Sequence, residues 1–192
     1  MTSEHNRTLA VRFSINESGV LEKAELTNET GEVITETVRG VGEREFCDDS
    51  LLTFATIPDG VTGIGDGAFA GCDWLAGVAI PDSVTSIGDK AFYDCYSLAE
   101  VTIPDGVARI GNEAFADCNQ LERATLPGGV TSIGYRAFAW CESLESITIP
   151  DSATHIGEEA FAWCARDLVI RAKPGTYPER YAAGCGIVFQ AE

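Results

Sequence analysis

Five consecutive segments of this chain repeat one 23-residue pattern, starting at Ile57, Ile80, Ile103, Leu126 and Ile149. Each approximates IPDxVTxIGxxAFxxCxxLxxVT. A short fixed period specifies a stack of coils, because one such unit cannot bury its apolar face alone and must cover it with its neighbours. Residues 34–56 carry a worn copy: shifted by 23, Ile34 falls under Ile57, Val38 under Val61, Val41-Gly42 under Ile64-Gly65, Phe46 under Phe69 and Leu52 under Leu75. The expected organisation is an N-terminal β cap over 1–33, a degenerate repeat over 34–56, five repeats over 57–170 with the last shortened, and a C-terminal cap over 171–192.

Each repeat position has a physical reason. Leu98, Val101 and Ile103 alternate into a short strand with one apolar face, and equivalent strands would pair in parallel. Pro104-Asp105-Gly106 is a turn. Val107 and Ile110 point inward again from a second short strand. Gly111 recurs at Gly42, Gly65, Gly88, Gly134 and Gly157, and the expectation there is a tight corner with positive φ. Ala114-Phe115 opens a short helical or 3₁₀ turn, and Phe46, Phe69, Phe92, Phe115, Phe138 and Phe161 stack as an internal spine. Beyond the repeats, Leu9–Ile15, Val20–Leu26 and Glu32–Val38 suggest a small antiparallel meander, with turns at Asn16–Gly19 and Asn28–Gly31. At the other end, Thr176 is expected as a helix N-cap, Pro178 in its first turn, Gly184 as its stop, and Ile187–Phe189 as a closing strand.

The segment IPDSVTSIGDKAFYDCYSLAEVTIP, residues 80–104, resembles the BspA-type bacterial leucine-rich repeat. The resemblance is strong over 57–170 and weaker over 34–56, and the tail TYPERYAAGCGIVF is similar to the closing segment common in that family. It implies a right-handed leucine-rich repeat solenoid of stacked parallel strands, capped at both ends. It also implies a noncatalytic surface of the kind bacteria use to bind host or matrix proteins, other cells or one another, with no catalytic residues to carry over.

The net charge of −17 argues against binding a phosphate backbone, which needs a basic face. No apolar run approaches the ~18 residues of a membrane span, and the start MTSEHNRTLAVRF has neither the basic nor the apolar region of a signal peptide. The expectation is a soluble chain with no nucleic acid partner and no membrane insertion. Of seven cysteines, Cys72, Cys95, Cys118, Cys141 and Cys164 share one repeat position. Parallel Cβ vectors on neighbouring rungs suit disulfides poorly, so buried thiols are expected. The spacing is wrong for zinc. His5 and His155 fit no catalytic grouping, and neither an enzyme nor a cofactor is expected. Asp59, Asp82, Asp105 and Asp151 share the position after proline, where turn formation explains them better than calcium, so no metal site is expected.

Two surfaces remain as binding candidates. The outward face of the main strand carries Thr102, Thr125 and Thr148 in one column, in line with Thr56 and Ala79, beside Glu100, Arg123 and Ser146. It is expected to be a flat platform without a deep pocket. Trp140 and Trp163 occupy one register position on adjacent coils, where Gly71, Asp94 and Asp117 stand earlier, so both are expected at the surface near Tyr135. Stacked exposed tryptophans make an interface anchor, and packing against the C-terminal cap is the structural alternative. Trp74, Tyr93 and Tyr96 form a second, weaker aromatic group. The function expected is binding of a protein ligand. Homo-oligomeric assembly and carbohydrate binding through the tryptophans are the alternatives.

Overall fold

A computed structural model describes residues 10–15, 21–27, 33–34, 40–49, 52–57 and 59–192. The turns expected at Asn16–Gly19 and Asn28–Gly31, together with His5, Val38 and Pro58, lie outside the described residues. Each coil contributes one three-residue strand to a parallel sheet: Phe54–Thr56, Gly77–Ala79, Glu100–Thr102, Arg123–Thr125 and Ser146–Thr148, then the longer Val169–Ala172. The register is 23 residues throughout, with Arg123 beside Glu100 and Thr125 beside Thr102. A second parallel sheet stacks Gly40–Val41, Gly63–Ile64, Ser86–Ile87, Arg109–Ile110, Ser132–Ile133 and His155–Ile156. Between the sheets, Pro81, Pro104, Pro127 and Pro150 each accept a hydrogen bond from the residue three further on, closing a β-turn.

The third side of the coil, expected as a short helical or 3₁₀ turn, keeps the 3₁₀-type local bonds but shares its N–H donors with the next coil. Local bonds to the residue three earlier, such as Ala116 N–H to the Glu113 carbonyl, alternate with bonds to the next coil. Glu113, Phe115 and Asp117 donate N–H to the carbonyls of Tyr135, Ala137 and Ala139, and the same triplet recurs from Arg44 to Trp140. A helix would spend these donors within its own coil; here they hold the coils together. The geometry needs two left-handed residues per coil. One column is Arg44, Gly67, Lys90, Glu113, Arg136 and Glu159, and the other is Asp48, Gly71, Asp94, Asp117, Trp140 and Trp163, with φ from 52° to 72°.

The recurrent glycine is not one of them. None of the glycines from Gly42 to Gly157 in that column has positive φ. A Cβ built on Gly134 would lie 2.6 Å from the Gly111 carbonyl carbon, and one on Gly157 would lie 2.6 Å from that of Gly134. The column is glycine because successive backbones touch there, which corrects the expected positive-φ corner.

The core fills the space between the three sides. Phe69, Phe92, Phe115 and Phe138 are fully buried. The six rings from Phe46 to Phe161 stack nearly parallel, with centroids 4.9 to 5.5 Å apart. That distance is close to the spacing of adjacent strands, so one ring per coil makes a continuous offset stack. The repeat cysteines are free, and each Sγ donates to the carbonyl of the phenylalanine one coil back, as from Cys118 to Phe92 at 3.2 Å.

Both ends are covered. Ala10–Ile15, Leu21–Thr27 and Val33–Ile34 form an antiparallel sheet, and Leu21–Thr27 lies beside Phe54–Thr56. At the C-terminus a helix, Tyr177–Cys185, precedes strand Val188–Ala191, which pairs in parallel with Val169–Ala172. Thr176 stands at the N-cap, but its hydroxyl donates to the Lys173 carbonyl and caps no helix N–H. The helix runs through Gly184, and Gly186 supplies the left-handed stop at φ 69°. Tyr181 meets Phe161 edge-on at 6.1 Å and closes the phenylalanine stack. Burial pushes its phenol pKa up. Among the described residues, no helix is long and apolar enough to cross a membrane.

Candidate functional site

The two sequence-predicted surfaces lie on different sides of the coil. Thr102, Thr125 and Thr148, with Glu100 and Arg123, are exposed on the outward face of the main sheet, and Ser146 is half-buried there. At the N-terminal end of this face the Phe54 ring lies across Gly77, 2.8 Å from where a Cβ would be. At the C-terminal end Thr148 donates to the Glu192 carboxylate at 2.9 Å, and Arg171 donates to Gln190 at 3.2 Å. The free length of the platform is therefore its middle, around Glu100–Thr102 and Arg123–Thr125.

Trp140, Trp163 and Tyr135 come together on the turn side. The tryptophan rings stack with centroids 4.3 Å apart and planes inclined by 14°. Trp140 is half-buried, while Trp163 keeps 53% of its surface exposed. The C-terminal helix therefore leaves Trp163 open and closes the phenylalanine stack through Tyr181 instead. Trp140 and Trp163 stand at φ 58° and 57°, where a bulky side chain is disfavoured and where the preceding coils place Asp or Gly.

Arg136 organises this cluster, and the sequence reading missed it. Its guanidinium lies 4.9 Å from the Tyr135 ring centroid, 5.5 Å from that of Trp140 and 5.4 Å from that of Trp163. Its Nε donates to Glu159 on the next coil, and this bond pushes the guanidinium pKa up. The signal available was register: Arg136 occupies the first left-handed column, four residues before Trp140, with Glu159 one period later. Each cation–π contact is worth ~0.5–1 kcal/mol at an exposed site, so Arg136 fixes the rings more than it stabilises the chain. The side chain preceding Arg136 is also set by register. Asp66, Asp89 and Asn112 each accept the N–H one period on, ending at Tyr135 N–H at 2.9 Å. This side-chain ladder stops where the aromatic cluster begins.

Two hollows open on the same turn side, toward the N-terminus. One, of about 440 Å³, lies where Gly67, Ala70 and Gly71 project little from their coil. The other, of about 430 Å³, lies between Trp74 and Tyr96. The post-proline aspartates Asp82, Asp105 and Asp151 are exposed at their turns, and Asp151 is 3.5 Å from the Lys173 amine. Among the described residues, no group of three or more His, Cys, Asp or Glu is arranged to hold a metal ion. Cys72 and Cys141 are poor nucleophiles: burial pushes Cys72 up to about 12, and burial also raises Cys141 well above its ordinary value.

The repeat register and stacked-strand geometry agree with one family. The sequence profile of the BspA type leucine-rich repeat region matches residues 39–166 in six copies. The chain belongs to this family. Among solved structures, the leucine-rich repeat protein of T. pallidum (TpLRR) superposes with a TM-score of 0.64 at 22% identity, covering 94% of this chain and 95% of that one. The pneumococcal vaccine antigen PcpA gives the same TM-score at 20% identity, covering 87% of this chain but 49% of that one. At these identities the likeness is one of fold. A search of curated proteins by sequence gave no match.

Proposed function

We propose that this member of the BspA-type repeat family is a noncatalytic protein-binding module, anchored by Trp140 and Trp163 with Tyr135 and Arg136. One observation carries this reading. Trp140 and Trp163 stack with ring centroids 4.3 Å apart where earlier coils carry Asp or Gly, and the outer ring remains more than half exposed. A stacked aromatic pair left open at a surface points to use of that surface. Large aromatic rings beside a guanidinium are also the residue types that dominate binding energy at protein interfaces. The middle of the strand face, from Glu100 to Thr125, lies on a different side of the coil and forms no part of this anchor.

The finer reading is adhesion at a bacterial surface, through a host, matrix or neighbouring-cell protein. It rests on the family. The expected result of a pull-down with immobilised protein is saturable capture of a protein from extracellular matrix extract. That capture should be lost in a Trp140→Ala, Trp163→Ala double variant whose melting curve is preserved. Capture retained by the double variant removes the aromatic anchor.

A second copy of the chain is the alternative occupant. It is favoured by the exposed outer ring of Trp163, the last of its column. Light scattering over rising concentration separates the two readings, because self-association raises the apparent mass without any added partner.

A further inference from the structure

Trp74 and Tyr96 are exposed to 63% and 50%, and the Trp140–Trp163 cluster makes no use of them. They stand on adjacent coils, one register position apart: Tyr96 falls one period after Asp73, and Ser97 one period after Trp74. Their placement is fixed by the backbone, where Ser97 N–H donates to the Asp73 carbonyl and Gln120 N–H to the Tyr96 carbonyl, both at 3.1 Å. The hollow of about 430 Å³ is lined by Asp73, Trp74, Asp94, Tyr96 and Ser97. Asp94 also lines the neighbouring hollow.

The carboxylates here, Asp73, Asp94 and Asp117, have no ion pair among the described residues. The nearby cations are engaged elsewhere: Lys90 is 3.5 Å from Glu113 and lies over the Tyr93 ring at 5.5 Å, and Arg44 donates to Cys47 Sγ at 3.0 Å. Burial, followed by the charges of Asp73, Asp117 and Asp48, pushes the Asp94 carboxyl pKa up. Two open aromatic rings beside two carboxylates select one chemistry. An ammonium or guanidinium group meets both the ring faces and the carboxylates, and its aliphatic stem covers the apolar edge. An anion would be repelled, and a purely apolar group would strip water from the carboxylates without replacing it. The protein already makes this kind of contact on the same side, between Lys90 and Tyr93 and between Arg136 and Tyr135. The net charge of −17 steers basic chains toward it.

We propose that this hollow docks a Lys- or Arg-rich segment of a partner protein, one cationic side chain sitting between Trp74 and Tyr96 against Asp73 and Asp94. The site stands on its own residues and is independent of the Trp140–Trp163 anchor.

The test is fluorescence anisotropy of a labelled decapeptide of alternating Lys and Ser, titrated with the full chain. Saturable one-to-one binding is expected. Trp74→Ala and Asp94→Asn should each weaken it about fivefold, while Asp105→Asn, which removes the same charge from a distant turn, should change it less than about twofold. Asn is tolerated at left-handed φ and Trp74 is exposed, so melting curves should match the wild type. Four results would overturn the proposal. The peptide does not saturate. An equivalent with acetylated lysines binds as tightly. Asp105→Asn weakens binding as much as Asp94→Asn, which would make the attraction diffuse. Spermine alone displaces the peptide at lower concentration than unlabelled peptide does, which would make this a polyamine site.

Discussion

A glycine and a tryptophan occupy opposite backbone extremes in these coils. Gly134 sits where two backbones touch, and a Cβ would meet three backbone atoms at 2.6 Å. Gly128, at a turn, has nothing within 4 Å. Gly134→Ala is therefore expected to lower the melting temperature sharply, with a loss above the ~0.5–1 kcal/mol scale of ordinary Gly/Ala differences. Gly128→Ala should be neutral or stabilising. Equal melting temperatures would contradict the close-approach account. The glycine column was legible from the sequence, but its cause was not, because close approach and positive φ leave the same residue behind. The left-handed columns were hidden for the opposite reason: Arg, Gly, Lys, Glu, Asp and Trp share no side-chain signature. The column thiols from Cys72 to Cys141 are buried as the sequence suggested, Cys164 only partly so, and Cys72 makes a pH prediction. Burial raises the Cys72 thiol from 9.0 to about 12. The unfolded chain thus ionises it first, so this contribution to stability is complete below pH 9 and declines between pH 9 and 12. Urea midpoints against pH should fall less steeply over this window in Cys72→Ala than in wild type. Parallel curves would contradict the assignment.

At the scale of elements, the third side of the coil determines how the repeats hold together. Its N–H groups alternate between the coil's own turn and the next coil, so the stack carries three ladders of inter-coil bonds. The phenylalanine stack runs directly beneath the third. Phe115→Ala should cost about 3–5 kcal/mol, measured by denaturant unfolding, because rings on both sides lose a stacking partner within 5.2 Å. A loss below 1 kcal/mol would contradict the spine. Strands, turns and the phenylalanine column followed from periodicity, since apolar alternation and fixed spacing are direct consequences of stacking. The inter-coil bonds of the third side did not, because a Gly-x-x-Ala-Phe segment satisfies a 3₁₀-type turn and inter-coil bonding equally well on paper. Only the carbonyls of the next coil decide between them. The C-terminal helix showed the same limit: Thr176 and Gly184 were reasonable end signals, yet Gly186 is the residue that turns left-handed.

For the whole molecule, an acidic stack of coils presents a polar strand face and a turn side carrying its exposed tryptophans and tyrosines. Trp140, Trp163 and Tyr135 were visible in the sequence because the repeat register put them on adjacent coils. Arg136 was not, because a single arginine in a mixed-charge column carries no signal until its guanidinium is seen between three rings. Glu100, Thr102, Arg123, Thr125 and Thr148 are exposed on the strand face while Ser146 is half-buried, and the sequence could not show that Glu192 and Phe54 occupy the ends of that face. In the proposed function, binding energy resides on the turn side, at the stacked tryptophans. The most direct measurement is the affinity of a captured matrix protein for wild type, for Trp140→Ala/Trp163→Ala, and for a strand-face variant, Thr102→Arg/Thr125→Arg. A loss of about 2 kcal/mol or more confined to the tryptophan variant is predicted. Full affinity in the tryptophan variant, with loss in the strand-face variant, would contradict it.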